Sequence, residues 1–199
     1  MGWLVLVWTG CRTVEPFGPA LAGQVREGQT RDEVRAVLGN PTTLEQSGMG
    51  LSVETYEVWQ SIFGRYGIRD REEALEIRQF SVRYGDDGRV ERTLYHRGVL
   101  EGWTLLYTRS VGPWLDPEAM ARVVPGRTRK SDLESWFGPA SMARLDPGGG
   151  VRLEWVYQSI EAAAVTPGRS FRALEVVVDE EGLVQSAKRV DRVFPAWRR

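Results

Sequence analysis

Acid–base and metal chemistry lean on histidine and cysteine, and this chain of 199 residues has one of each, His96 and Cys11. A lone histidine leaves no multi-histidine metal site. A lone cysteine leaves neither an intrachain disulfide nor a cysteine-rich zinc site. His96 stands at the end of a predicted strand beside Arg97 and reads as an exposed strand-end residue. Ser61 and Ser159 recur in similar settings, but neither lies in a nucleophile motif. Gly148-Gly149-Gly150 lacks the Lys-Ser/Thr of a phosphate loop and reads as the turn before a strand at Val151. The pairs Asp86/Asp87 and Glu180/Glu181 read as solvated hairpin turns. No catalytic residue, cofactor or metal site is expected, and the chain is not expected to be an enzyme.

Binding is better represented. Eight tryptophans are more than a small domain can bury. Trp59, Trp136 and Trp155 or Tyr157 are expected to fill cores. Trp103, Tyr107 and Trp114 lie in a stretch between predicted elements, and Arg65, Tyr66 and Arg69 in an irregular insertion. Exposed aromatics beside arginine favour protein contact surfaces, so these six are the candidate partner-binding residues. The other role open to such tryptophans is to seal a joint within the chain. A formal net charge of −1 argues against a basic nucleic-acid binder, and no nucleic-acid partner is expected.

The single cysteine has a more specific reading. Residues 1–10 run Met-Gly-Trp-Leu-Val-Leu-Val-Trp-Thr-Gly into Cys11, an apolar run far too short to span a bilayer. It reads as the tail of a secretory h-region. Thr9-Gly10-Cys11 resembles the lipobox of bacterial lipoproteins, in which the cysteine thiolate takes a diacylglycerol after cleavage. The resemblance implies lipidation at Cys11 and a membrane attachment through the lipid. The alternative is a buried strand or helix with an incidental cysteine.

The elements that would position these residues come in two copies. Gly28, Thr30, Arg31, Val34, Leu38 and Gly39 correspond to Gly126, Thr128, Arg129, Leu133, Phe137 and Gly138, with one residue inserted in the second copy. Val58-Trp59-Gln60-Ser61-Ile62 corresponds to Val156-Tyr157-Gln158-Ser159-Ile160, and residues 82–90 to 176–184. Three blocks in the same order indicate a tandem duplication. Thr30-Arg31-Asp32-Glu33 is a capping box that starts a helix closed by Gly39 and Pro41. In the second copy Ser131 to Glu134 offers the same box, with Thr128 as another cap. Strands are predicted at 53–60, 78–84 and 90–95, and again at 151–158, 171–178 and 183–190, with hairpin turns at Asp86-Asp87-Gly88 and Glu180-Glu181-Gly182. The expected fold is α+β: two tandem ααβββ units, each with two helices packed on a three-stranded antiparallel sheet. The expected segments are a signal-like stretch at 1–11, a first domain at 16–98, a linker at 99–115, a second domain at 116–192 and a tail at 193–199.

Gly-x-Thr-Arg-x-Glu-Val-x-x-x-Leu-Gly-x-Pro at 28–41, followed by aromatic-rich strands and an Asp-x-Gly-x-Val hairpin, resembles the SmpA/OmlA lipoprotein family. That family includes the BamE-type subunit of the outer-membrane barrel assembly machinery, and the resemblance covers about residues 22–95 and again 116–190. It implies ααβββ domains and a non-catalytic lipoprotein on the periplasmic face of the outer membrane. Such a protein would act as scaffold or assembly factor by binding envelope proteins, the barrel assembly machinery among them. A tandem pair of this unit is also the architecture of the β-lactamase inhibitor protein family, whose two sheets form a concave saddle around a partner. The alternative function is therefore a soluble inhibitor or binding module, although that family's disulfides have no counterpart here.

Overall fold

A computed structural model describes residues 18–48, 50–63, 73–105, 108–161 and 168–194. The chain forms α1 (Pro19–Ala22), α2 (Arg31–Leu38), β1 (Thr43–Gln46), β2 (Ser52–Phe63), β3 (Glu73–Tyr84), β4 (Val90–Leu105) and β5 (Thr108–Val111). It then forms α3 (Pro117–Ala121), α4 (Lys130–Phe137), β6 (Met142–Leu145), β7 (Val151–Glu161), β8 (Gly168–Val178) and β9 (Val184–Phe194). All nine strands among the described residues belong to one antiparallel sheet, in the order β1-β2-β3-β4-β5-β7-β8-β9, with β6 also pairing β7.

This overturns the expected fold class. The molecule is mostly antiparallel β, curled into a half-barrel, and not two helices on a three-stranded sheet in each unit. The physical reason lies in the stretch read as a linker. β4 runs on for 16 residues to Leu105, and β5 turns back beside it and then pairs β7. Main-chain hydrogen bonding therefore crosses from one copy to the other. The short strands β1 and β6 add an edge to each copy. The helices are only four, eight, five and eight residues long and cover a small part of the sheet.

Each helix pair nevertheless nucleates a local core. Thr30 caps α2: Glu33 N–H donates to Thr30 Oγ1, and Thr30 N–H donates to Glu33 Oε2 at 2.7 Å. This sets Val34 fully buried among Tyr56, Phe80, Val82 and Tyr84. In the second copy Leu133, Phe137, Trp155, Leu174 and Val176 do the same work. There the predicted cap is corrected. α4 starts two residues earlier than a Ser131 cap would place it, and Asp132 reaches back to accept the Arg129 N–H at 2.8 Å. Thr128 Oγ1 instead accepts from Val124 N–H.

The core tryptophans are also corrected. Trp155 is fully buried, its Nε1–H donated to Gly138 O at 3.0 Å, but Trp59 is 50% and Trp136 36% exposed. Strand register explains Trp59. β1–β2 pairs Thr43 with Thr55, and β6–β7 pairs Met142 with Glu154. This sets Tyr56 against Trp155 and Val58 against Tyr157 as structural equivalents. The Val-Trp/Tyr-Gln-Ser-Ile similarity is thus one residue out of structural register. A one-residue slip turns every side chain to the opposite face, so Trp59 and Tyr157 point to opposite sides of the sheet.

The second face of the sheet is buried where the copies meet. On β3, Phe80, Val82 and Tyr84 face the first copy's helices, while Ile77, Gln79 and Ser81 point the other way and are at most 1% exposed. β6 packs across β3 and β4 on this side. Gln79 Oε1 accepts the Ala143 N–H at 2.9 Å, and Gln79 Nε2–H donates to Glu57. His96 lies within β4, half-buried, with Nε2–H donated to Ala140 O at 3.1 Å, so the expected exposed strand end is corrected. Burial holds its imidazole below the ordinary range, opposed by the Ala140 and Ser141 carbonyls.

Charge crosses this seam as well. Glu45 pairs with Arg152 at 2.9 Å and with Arg144 at 3.5 Å, and Arg152 pairs with Asp146. Glu154 stands among them. Burial pushes its carboxyl pKa up; Arg144 and Arg152 oppose the rise, and Glu175 and Glu57 add to it. A carboxyl whose folded pKa is raised holds its proton more tightly when folded. Its stabilising contribution is present in acid and fades as pH rises from the unfolded value, about 4.3, through the raised one. Glu154→Gln is therefore expected to melt higher than the parent chain near pH 7, with the difference vanishing towards pH 4. Paired thermal melts across that window check it, and equal melting at all pH values would refute the raised pKa of Glu154.

Candidate functional site

Two places combine polar or aromatic groups that the fold alone does not demand. The first is Glu54 on β2, which is fully buried. Its Oε1 accepts from Arg35 Nη2 at 2.5 Å and lies 3.3 Å from Arg31 Nε. Its Oε2 accepts from Tyr56 and Tyr84 hydroxyls at 3.0 and 3.1 Å. Burial, then the Glu54 charge, pushes both phenol pKa values up, so the hydroxyls stay protonated donors. Every lone-pair direction of the carboxylate is used. The carboxylate is saturated, whereas Arg31 Nε, buried beside it, makes no hydrogen bond among the described residues, and the cluster's role is structural.

The second is open. A groove of about 540 Å³ lies where β4, β5 and the segment after α4 meet. It is lined by Val99 and Glu101 of β4, by Pro139 and Ser141 after α4, and by Trp114 and Tyr157. Gly112, at φ 87°, turns the chain out of β5, and an added Cβ would lie 1.9 Å from Val156 O. That turn is what lifts Trp114 to the rim. Trp114 is 59% exposed, yet held: its ring meets Tyr157 edge-on at 5.0 Å, and the Arg172 guanidinium sits over it at 4.4 Å. A large, rigid and solvent-facing aromatic anchor beside a concavity is what protein hot spots are made of.

Of the six partner-binding candidates, the structure brings Trp114 to this groove. Trp103 lies on β4, opposite Ser110, with its side chain outside the described residues. Arg65, Tyr66, Arg69 and Tyr107 lie outside the described residues, as does Cys11. Val99, Glu101, Pro139 and Tyr157 were not singled out from sequence as binding residues. Only Tyr157 carried a signal, an aromatic in a repeated pentapeptide, and it pointed to the core. Among the described residues no group of His, Cys, Asp and Glu could hold a metal ion, and no helix is long and apolar enough to cross a membrane.

Comparison with protein-family models, with curated proteins and with solved structures finds no match for this chain. The likeness to the SmpA/OmlA family thus rests on the residues at 28–41 and the hairpins alone, and the ααβββ fold it implies is the one corrected above.

Proposed function

We propose that this chain is a non-catalytic envelope lipoprotein that holds protein partners at the groove between its two copies. The observation that carries the docking is Trp114, exposed yet locked between Tyr157 and Arg172 at the mouth of the groove. Thr9-Gly10-Cys11 supports a lipid anchor, and two acyl chains would give stable attachment. The resemblance at 28–41 supports an outer-membrane site and the barrel assembly machinery as the partner to test first. A clamp-type inhibitor, the other function read from sequence, needs an open inner sheet face. Here β6 lies across β3 and β4 on that face.

Two measurements test the reading separately. Radioactive fatty acid is expected to label the protein in cells, and Cys11→Ser to abolish the label; a label independent of Cys11 removes the anchor. Trp114→Ala is expected to weaken partner binding about thirtyfold, the loss of a hot-spot aromatic worth about 2 kcal/mol. Co-purification of barrel-assembly components with parent and variant chains reads it, and equal recovery removes the groove from the interface.

A further inference from the structure

The groove exposes main chain as well as side chains. In an antiparallel ladder the N–H and C=O of one residue point to the same side, and successive residues alternate. Glu101 C=O accepts the Gly112 N–H at 2.9 Å, so on β4 the odd-numbered residues direct their main-chain groups towards β5. β5 is short and pairs only Gly102–Leu105. Past Gly112 the chain leaves for Trp114, and the edge of β4 continues alone. Val99, 45% exposed, therefore turns an N–H and a C=O into the groove with no strand opposite them among the described residues. An open edge of this kind is a template for another strand.

The groove's other features suit the side chains of such a strand. Trp114 and Pro139 offer apolar surface in the lining. Glu101 is exposed and has no ion-pair partner among the described residues, although arginines elsewhere on the sheet, such as Arg97 and Arg78, are paired to Glu76. Deepening the docking reading above, on which it rests, we infer that the groove captures an extended segment of a partner protein by strand addition to β4 at Val99. Apolar residues of the segment sit against Trp114 and Pro139, and a lysine or arginine meets Glu101. Main-chain bonds then supply affinity and the alternate side chains specificity. A proline-rich segment is the competing occupant, and it fits less well, because proline brings no N–H to pair with the Val99 carbonyl.

A random decapeptide library displayed on phage, selected on the full chain and counter-selected on Trp114→Ala, tests this directly. Trp114 is a surface residue, and a thermal melt verifies that the variant is folded. Strand addition is expected to yield peptides alternating apolar and basic residues. Synthetic copies N-methylated at the residue facing Val99 are expected to bind about tenfold more weakly, and copies methylated one residue along to bind normally. Glu101→Lys is expected to reject the basic peptides. Binders that depend on Trp114 but are proline-rich, or indifferent to N-methylation at every position, overturn strand addition and leave the docking groove standing. Recovery of no Trp114-dependent binder overturns both.

Discussion

Glu54→Ala is expected to destabilise the chain by about 3 kcal/mol or more, the cost of breaking a buried ion pair from one side. The carboxylate accepts from the Arg35 guanidinium and two phenols, and Arg31 is ion-paired to it. Arg31 and Arg35 are about one-third exposed and can turn to water, which limits their share of the loss. Tyr56 and Tyr84 are 3% or less exposed and cannot, so their hydroxyls lose their acceptor inside the core at about 1–3 kcal/mol each. Urea unfolding measures the change, and for a chain of this size each kcal/mol corresponds to about 2–4 °C in melting temperature. The second copy shows that the fold does not require this cluster. The equivalent strand positions there hold Leu153, Trp155 and Val178, all in the apolar core. The triple change Glu54→Leu, Tyr56→Trp and Tyr84→Val is accordingly expected to recover most of the loss, because replacing a whole buried polar cluster by packed apolar groups is close to neutral. A single Glu54→Ala variant that melts with the parent would show that the cluster is not built as described.

What the sequence made legible was local. Thr30 and Glu33 announce the start of α2 because a cap needs an acceptor and a carboxylate at fixed spacing, and nothing distant enters. Gly88 and Gly182, at φ 73° and 76°, mark their hairpins for the same reason. The duplication also shows in the structure's element order, down to a bulge shared by Arg83/Tyr84 and Val177/Val178. The rest depended on long-range packing. Residues 99–105 carry no periodicity that separates a strand from a linker, yet they lie within β4. The Gln79 bond to Ala143 joins residues 64 apart and leaves no mark on local pattern. The repeated pentapeptide misled for a definite reason: similarity of letters follows descent, whereas the side a residue faces follows register. The groove was half legible, because Trp114 stands out by type, whereas the bare edge beside Val99 exists only once β5 is known to stop at Val111.

Gly98→Ala is expected to damage the seam more than a methyl added at Gly23, Gly85 or Gly148. The built Cβ lies 1.9 Å from Ser141 O and 2.8 Å from Ser141 C, both main-chain atoms that no rotamer change can move aside. Backbone must shift, at a cost of about 1–3 kcal/mol for overpacking and more where both neighbours are held. Both are held here. Gly98 is fixed by the β3–β4 register opposite Ile77, and Ser141 leads into β6, whose Ala143 is bonded to Gln79. The strain therefore has one outlet, withdrawal of β6 from β3 and β4. Hydrogen exchange is expected to speed at Ala143, while the Val34 and Leu133 amides, inside the two helix–sheet cores, keep their protection. Gly28→Ala is the control. Its φ of 82° costs about 1–2 kcal/mol of backbone strain, but open space surrounds the new methyl, so the Ala143 amide is expected to stay protected. Equal protection of Ala143 in the parent and Gly98→Ala chains would mean that β6 does not rest on β4. The two copies would then be joined by the β4–β5–β7 ladder, the Gln79–Ala143 bond and the Glu45 ion pairs.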